Sequence, residues 1–583
     1  MCLATLAGEQ ANTQSTPTPP APTKCELTFH GGAGRVSGSL TILDTGNCQI
    51  AIDCGSFYPD GDGTDEERKA EASRRNSTLP SGAKQLSTVL VTHAHIDHIG
   101  RLPLLAQTGF QGRVFLTPET GDLAVIMLGM QVRYDDDAKR EWRWSSRVSP
   151  MRSEDRVQTP CGNREASTDR GAKLHWRRDC EWDQKIAREN LTTLSGTFSE
   201  AERRVLDQGV FFQKFQYASP CRVCADLELR GVVSQFEPVK VNLEFRIAEG
   251  VYATALDAGH IPGSCSWLVR VSLPEKDVRL LFSGDLGNNS STLITGPKPA
   301  PPVDLVAIET TYGSASVGDP AVVEQARFRQ TMGEAIAADR LVWIPAFALD
   351  RTQKILHQIA IAQADGSLPS ELCVYVPSPS ANAVTAQYLE WPQASVFRPG
   401  LAPLESLLKA ATIITSPGAV KSLSSRHGVI VITTSGMLDE VFSRELLPQL
   451  SSREDVEILL VGYQDPGTMG GRLERAVNES AGGPVEIPVD GSKHRVKATV
   501  RRFRSFSAHA RSDDMDRWLQ NVPKTSRVVL VHGDAAQLAA RQAALTLAGW
   551  GDVVIAEEGK TMRAWTEQAE PAEGVPPKAR QGE

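Results

Sequence analysis

The chain lacks any apolar run approaching the about 20 residues needed to span a bilayer, and its first residues, MCLATLAGEQ, carry neither a basic stretch nor a long apolar core. That leaves no expectation of a membrane span or a secretory leader, and a cytoplasmic location is expected. Cysteine is sparse: ten are scattered over 583 residues, without the dense framework of a small secreted domain. Only Cys221 and Cys224 form a C-x-x-C pair, so a four-thiolate zinc would have to recruit Cys161 and Cys180. No elbow presents a nucleophilic Ser or Cys, and no phosphate loop of the Walker type is present. The net charge of -8 argues against coating nucleic acid with the whole surface, while leaving room for a local basic cleft.

What the chain does have is VTHAHIDHIG, Val91 to Gly100, which follows the short β-branched run LSTVLVT. Within six residues it sets His93, His95, Asp97 and His98 where a strand ends. Imidazole and carboxylate are ligands that suit zinc, and the alternation H-x-H-x-D-H lets two subsets of side chains serve two adjacent metal positions.

The length implies two to four units at ~150 residues each. Residues 1–24, rich in Thr, Pro and Ala, read as a disordered leader. From Cys25 short strands broken by glycine turns begin, and Asp53 ends the apolar run QIAI. A charged, helix-prone insertion runs from about 121 to 235, where Trp142, Trp144 and Trp176 are interleaved with Lys139, Arg140, Arg143 and Arg147. It reads as a solvated insertion packing its own tryptophans or as a grip on single strands. Strands then end in turn near Asp257 and His260, Asp285 and Glu309. From about 316 to 490, helical and apolar strand segments alternate as in an α/β unit with a parallel sheet. The first theme resumes over 491–566, with His509 and a strand ending at His532, and residues 567–583 read as a disordered tail.

Core packing alone does not generate several apolar strands that each end in a potential ligand; such ends converge on one site. His93, His95, Asp97, His98, His260, Asp285, Glu309, His509 and His532 exceed the needs of one zinc and suit two zincs bridged by a carboxylate. Two metals a few ångströms apart lower the pKa of a shared water and clamp both oxygens of a phosphoryl displacement, so hydrolysis is the chemistry implied.

HAHIDH, with DCG before it and DAGHIPGS and SGDLG after it, resembles the metallo-β-lactamase superfamily. IETTYG, SFSAHA and VLVHG resemble motifs A, B and C of its β-CASP branch, which includes ribonuclease J and the endonuclease of pre-mRNA 3′-end processing. The resemblance runs from about Cys25 to Gly559, apart from much of the 121–235 insertion. It implies an α/β fold: a metallo-β-lactamase αββα sandwich, formed by 25–315 and 491–566, interrupted by a β-CASP α/β domain over 316–490. It implies that His93, His95 and His260 bind one zinc and Asp97, His98 and His532 the other, with Asp285 bridging, and that Asp53 supports the ligand loop. His509, held by Glu309, would protonate the departing oxygen, leaving a 5′-phosphate and a 3′-hydroxyl. A His at motif C goes with RNA nucleases of the branch, so single-stranded RNA is the expected partner, cut internally and also from the 5′ end; homodimers are common in the branch.

Arg501, Arg502 and Arg504 stand just before motif B as candidate phosphate contacts. The sequence also departs from the branch. Arg511 stands where an Asp is usual two residues after the motif B histidine, leaving a contact to be lost or supplied by Asp513. The common G-R-x-Q-E reads Asp350-Arg351-Thr352-Gln353-Lys354, and no Gly-Pro follows Thr433-Thr434-Ser435-Gly436-Met437. A DNA nuclease or other phosphoesterase of the same fold is one competing reading, and a non-catalytic RNA-binding scaffold is another.

Overall fold

The computed structural model describes residues 20–59, 64–138, 231–314, 321–391, 393–401, 411–413, 423–438, 441–462, 464, 467–480, 485–489 and 492–564. The expected leader before residue 20, the tail, Cys161, Cys180, Cys221, Cys224 and the tryptophans of the insertion lie outside the described residues.

Two seven-stranded sheets pack face to face. One runs in the order Thr561–Arg563, Glu26–Phe29, Thr41–Asp44, Gln49–Ile52, Leu86–Leu90, Arg113–Leu116, Phe236–Pro238; the other runs Asp552–Ile555, Arg527–Val531, Leu305–Glu309, Asp277–Phe282, Cys265–Ser272, Val251–Asp257, Phe245–Ala248. The layer between them is apolar: Leu27, Phe29, Leu43, Ile50 and Leu90 of the first sheet meet Val251, Trp267, Val269, Leu280 and Val529 of the second. Period two is visible in the second sheet, where Leu280 and Phe282 face this layer while Leu281 faces Met515, Trp518 and Leu538 of the outer helices Ser512–Leu519 and Ala535–Leu547. On the far side of the first sheet, Val89, Val114 and Leu116 meet Leu102, Leu105 and Leu123 of the helices Leu102–Gln107 and Pro118–Ala138. The layers are therefore α, β, β, α.

A six-stranded sheet, with core pairings parallel, forms the inserted unit: Ala411–Ile413, Val374–Val376, Ile430–Thr434, Leu341–Ala346, Val456–Leu460, Thr499–Arg502. Its central strands are buried along their whole length, as expected when helices cover both faces. Thr499–Arg502 pairs with Glu457 to Leu460, so the chain is still within this sheet at Arg502, beyond the position near 490 where the inserted unit is expected to end. A β-hairpin, Val485–Val489 with Ser492–Val496, precedes it. Between the units the seam is apolar on one side: Leu123, Leu128, Ile261 and Leu293 share a cluster with Val384, Tyr388, Trp391 and Phe397.

The sheets of the sandwich are tied where the histidine-rich loop begins. Trp267 donates its indole N–H to the carbonyl of Val91 at 3.0 Å, and the amide of Cys265 donates to the carbonyl of Thr92 at 2.8 Å. Trp267 is fully buried. Trp267→Phe is expected to destabilise the protein by about 1–3 kcal/mol, mainly by stranding the Val91 carbonyl, and Trp267→Ala by about 3–5 kcal/mol. Urea unfolding followed by circular dichroism measures both; equal losses for the two variants would show that the hydrogen bond and the ring volume are not separable contributions.

Candidate metal centre

The direction of the strands explains why the polar residues meet. Asp277–Phe282, Leu305–Glu309 and Arg527–Val531 are mutually parallel, and Val251–Asp257 runs the same way because both it and Asp277–Phe282 are antiparallel to the strand between them. Their C-terminal ends deliver Asp285, Glu309, His532 and His260 to one edge. From the other sheet, Gln49–Ile52 and the parallel Leu86–Leu90 deliver Asp53 and the His93 to His98 loop. Close backbone approach needs glycine here: a Cβ on Gly287 would stand 1.6 Å from the carbonyl oxygen of Gly259, and one on Gly55 would stand 1.5 Å from that of Asp97.

Two sets of ligand atoms result. His93 Nε2 lies 3.0 Å from His95 Nδ1, which lies 3.3 Å from His260 Nε2; Oδ2 of Asp285 lies 3.4 and 3.5 Å from the Nε2 atoms of His93 and His260. In the second set His98 Nε2 is 3.3 Å from His532 Nε2, which is 3.4 Å from Asp97 Oδ2. Oδ1 of Asp285 faces this set, 3.2 Å from His98 Nε2 and 3.5 Å from His532 Nδ1. One carboxylate thus turns one oxygen to each set.

These distances fit a metal better than a hydrogen-bond network. Two nitrogens on a tetrahedral zinc, at about 2.1 Å each, stand ~3.4 Å apart. Oδ1 of Asp285 is buried without a hydrogen bond, an expensive condition for a carboxylate unless a cation satisfies it. Burial pushes the imidazoles of His93 and His95 down to about 3 and about 4, leaving them neutral, the form in which imidazole binds a metal. Burial opposes the charge on Asp285, but the surrounding histidines, His532 foremost, hold its carboxyl well below the ordinary range. His93 and His95 thus offer neutral nitrogen and Asp285 an ionised carboxylate, donors that suit a divalent cation, whereas at His98 burial is outweighed by the charges of Asp285 and Asp53, which hold that imidazole well above its ordinary value.

The ring orientations are set from behind. Asp53, in the left-handed region at φ 62°, accepts from the amide of Thr92 at 2.7 Å, the hydroxyl of Thr92 at 2.8 Å and Nδ1 of His98 at 2.7 Å. That leaves Nε2 of His98 to the cluster. The Thr92 hydroxyl also lies 3.0 Å from Nδ1 of His93, and the Thr311 hydroxyl lies 3.1 Å from Nδ1 of His532. Tyr58 donates its hydroxyl to Asp97 Oδ1 at 3.2 Å.

His509 stands beside the two ligand sets, its ring centroid 4.6 Å from that of His260 and 5.9 Å from that of His532. Its Nδ1 donates to both oxygens of the buried Glu309 carboxylate, at 3.1 and 3.2 Å. Glu309 is itself fixed by the amides of Leu286 at 2.8 Å and Thr311 at 3.2 Å. Burial lowers the His509 pKa, but the charges of Glu309 and Asp285 outweigh it and hold the imidazole above its ordinary value.

Some expectations resolve differently. Arg501 pairs with Glu457 at 2.6 Å and Arg502 with Glu474, whereas Arg504 is exposed. Asp513 pairs with Arg517 at 3.2 Å; the neighbouring Asp514, buried, takes the contacts near motif B, from the amide of Arg511 at 3.2 Å and the side-chain amide of Asn289 at 3.2 Å. The exposed carboxylate is thus replaced by the one facing inward on the same helix turn. Asp350, at φ 68°, and Lys354 form a buried ion pair at 2.6 Å, so these two departures from G-R-x-Q-E compensate each other. Asp257 accepts from the amide of Gly259 at 2.9 Å and shapes the turn before His260. Thr92, Tyr58 and Thr311 carried no sequence signal of their role.

Three family models match the chain: the metallo-β-lactamase superfamily over residues 34–140, the Beta-Casp domain over 352–473 and the Zn-dependent metallo-hydrolase RNA specificity domain over 493–556. The fold and site define a metal-dependent hydrolase of the metallo-β-lactamase superfamily. Within it, the chain belongs to the β-CASP branch, as its motifs imply. It is 25% identical over 527 residues to a protein of Thermus thermophilus named as a ribonuclease, covering 89% of this chain and 95% of the relative. It is 23% identical over 518 residues to an RNase J-like protein of Methanocaldococcus jannaschii, covering 88% and 93%. A transcription termination factor, FttA, of Methanosarcina mazei is 24% identical over 523 residues, covering 87% and 67%.

Because Asp53 makes the short contact to the far nitrogen of His98, at 2.7 Å against 3.4 Å for the Thr92 hydroxyl, Asp53→Ala is expected to weaken metal binding by about 10–100-fold. Competition with a fluorescent chelator measures this; wild-type affinity in the variant would rule out the orienting role.

Proposed function

We propose that the protein is a zinc-dependent ribonuclease that hydrolyses phosphodiester bonds in single-stranded RNA, cutting internally and also from the 5′ end. The observation that carries this reading is the placement of the His509–Glu309 pair beside two ligand sets joined by Asp285. The match to an RNA specificity domain and the ribonuclease and RNase J-like names of the relatives favour RNA as the substrate. His93, His95 and His260 would hold one zinc and Asp97, His98 and His532 a second, with Asp285 shared between them.

When bound, such a pair of ions supplies an acidified water and neutralises charge on a phosphoryl group. The residues supply the rest. Asp53 and Thr311 fix His98 and His532 so that ligand nitrogens point to one place. His509, its Nδ1–H committed to Glu309, has Nε2 left to give a proton to the departing 3′-oxygen. A 5′-phosphate and a 3′-hydroxyl result. Arg504, which is exposed, is the arginine of the three best placed to meet a backbone phosphate. No helix among the described residues is long and apolar enough to cross a membrane; a cytoplasmic location and a homodimer complete the reading.

Asp97→Ala is expected to abolish cleavage. His509→Ala should retain metal and lower cleavage by ~100-fold or more, the scale of a lost general acid. Matched RNA and DNA oligonucleotides with end-mapped products test the assignment: preferred cleavage of DNA, or 5′-hydroxyl products, would sink it. A general acid must be protonated, so cleavage should fall as pH rises through the His509 pKa. Since Glu309 holds that value up, Glu309→Gln should move the alkaline fall to lower pH, and an unmoved profile would count against the pair.

A further inference from the structure

The loop that carries His509 is gripped by the inserted unit. Helix Ala321–Ala337 opens that unit, and one of its faces lies against residues 503–506. Its Glu324, almost wholly buried, accepts from two successive backbone amides, Arg504 at 2.9 Å and Ser505 at 2.5 Å. One turn on, Phe328 packs edge-on against Phe503 and Phe506, with centroids 5.0 and 4.7 Å away. Gln325 reaches the carbonyl of Ser290 at 3.5 Å. The other end of the loop is held by the sandwich: Asn288 donates to the carbonyls of Ser507 at 2.8 Å and His509 at 3.1 Å, and the amide of Ala510 donates to Leu286 at 2.7 Å.

A purely architectural role would be met by the phenylalanine cluster. A buried carboxylate is a costly way to pack a loop, and this one, beside an ion pair at 3.5 Å with the exposed Arg327 one turn on, turns both its oxygens to the two peptides that stand five and four residues before His509. Burying it is worthwhile where the direction of those peptides matters, because a displacement near 1 Å at a reacting group costs on the order of 100-fold in rate.

We propose that Glu324 is a positioning residue: by fixing the amides of Arg504 and Ser505 it sets the reach of His509, making the inserted unit part of the hydrolytic machinery. This rests on the reading of His509 as the group that protonates the departing 3′-oxygen. A polar link from the inserted unit then bears directly on bond cleavage, and not only on substrate shape.

The test compares wild type, Glu324→Gln, Glu324→Ala and His509→Ala on two RNA oligonucleotides, one unmodified and one with sulfur in place of the bridging 3′-oxygen at the cleaved position. A thiolate leaves without a proton, so loss of proton donation slows the oxygen substrate alone. His509→Ala should be ~100-fold slow on oxygen and near wild type on sulfur. Both Glu324 variants should be at least ~10-fold slow on oxygen, recover on sulfur and keep wild-type zinc content and melting temperature within a few degrees. If Glu324→Ala does not fold, the near-isosteric Glu324→Gln, which gives up one acceptor, decides. Wild-type rates on oxygen, or equal slowing on both substrates, in the Glu324 variants while His509→Ala recovers, overturn the role of Glu324 only. Equal slowing of His509→Ala on both substrates overturns the general-acid assignment and this inference together.

Discussion

The arrangement depends on one buried carboxylate. Asp285 turns Oδ2 toward His93, His95 and His260, and Oδ1 toward His98 and His532. Seven imidazole and carboxylate groups, Asp97 included, are thus held at contact distances in the interior, an expensive arrangement unless a cation satisfies them. The sandwich is built to meet that constraint. Parallel strand direction brings the ligands to one edge, glycines at 55 and 287 let the loops close, and Asp53, Thr92 and Thr311 set the rings from behind.

The inserted unit answers a different need. A cluster of small ligands at a sheet edge has no means of recognising a polymer, and the insertion falls between Glu309 and His509, the two partners of the proposed proton-delivery pair. The chain therefore leaves the site with the carboxylate and returns with the imidazole. On the way back it runs along Thr499–Arg502 at the edge of the inserted sheet, under helix Ala321–Ala337, before His509 reaches the candidate metal ligands. Arg504, the candidate phosphate contact, and His509, the proposed proton donor, are thus joined by fewer than ten residues of chain.

The candidate metal ligands, which the fold brings together, could be named from the sequence because ligand chemistry is local: imidazoles and carboxylates at the ends of apolar strands have few other uses. The α/β insertion was legible from the alternation of helices and apolar strands, and the sandwich from the resemblance of HAHIDH and its companion motifs to the metallo-β-lactamase superfamily. Residues acting through tertiary hydrogen bonds were not. Nothing in the spacing around Thr92, Asn288 or Glu324 distinguishes them from surface polar residues, since their partners lie far away in the chain. The arginines before motif B read as one basic cluster, yet two of the three pair with Glu457, on the neighbouring strand, and Glu474, on the helix Met469–Glu479, which only the tertiary fold brings near. Asp513 and Asp514 are likewise equivalent on paper, and helix phase decides between them.

The most direct measurement is the zinc content of the wild type and of Asp285→Ala, determined by elemental analysis after extensive dialysis and paired with RNA cleavage by the same samples. Shared coordination predicts two zincs per chain in the wild type, a loss of at least one in the variant, and loss of cleavage with it. An Asp285→Ala protein that keeps both zincs and cleaves RNA at the wild-type rate would contradict it.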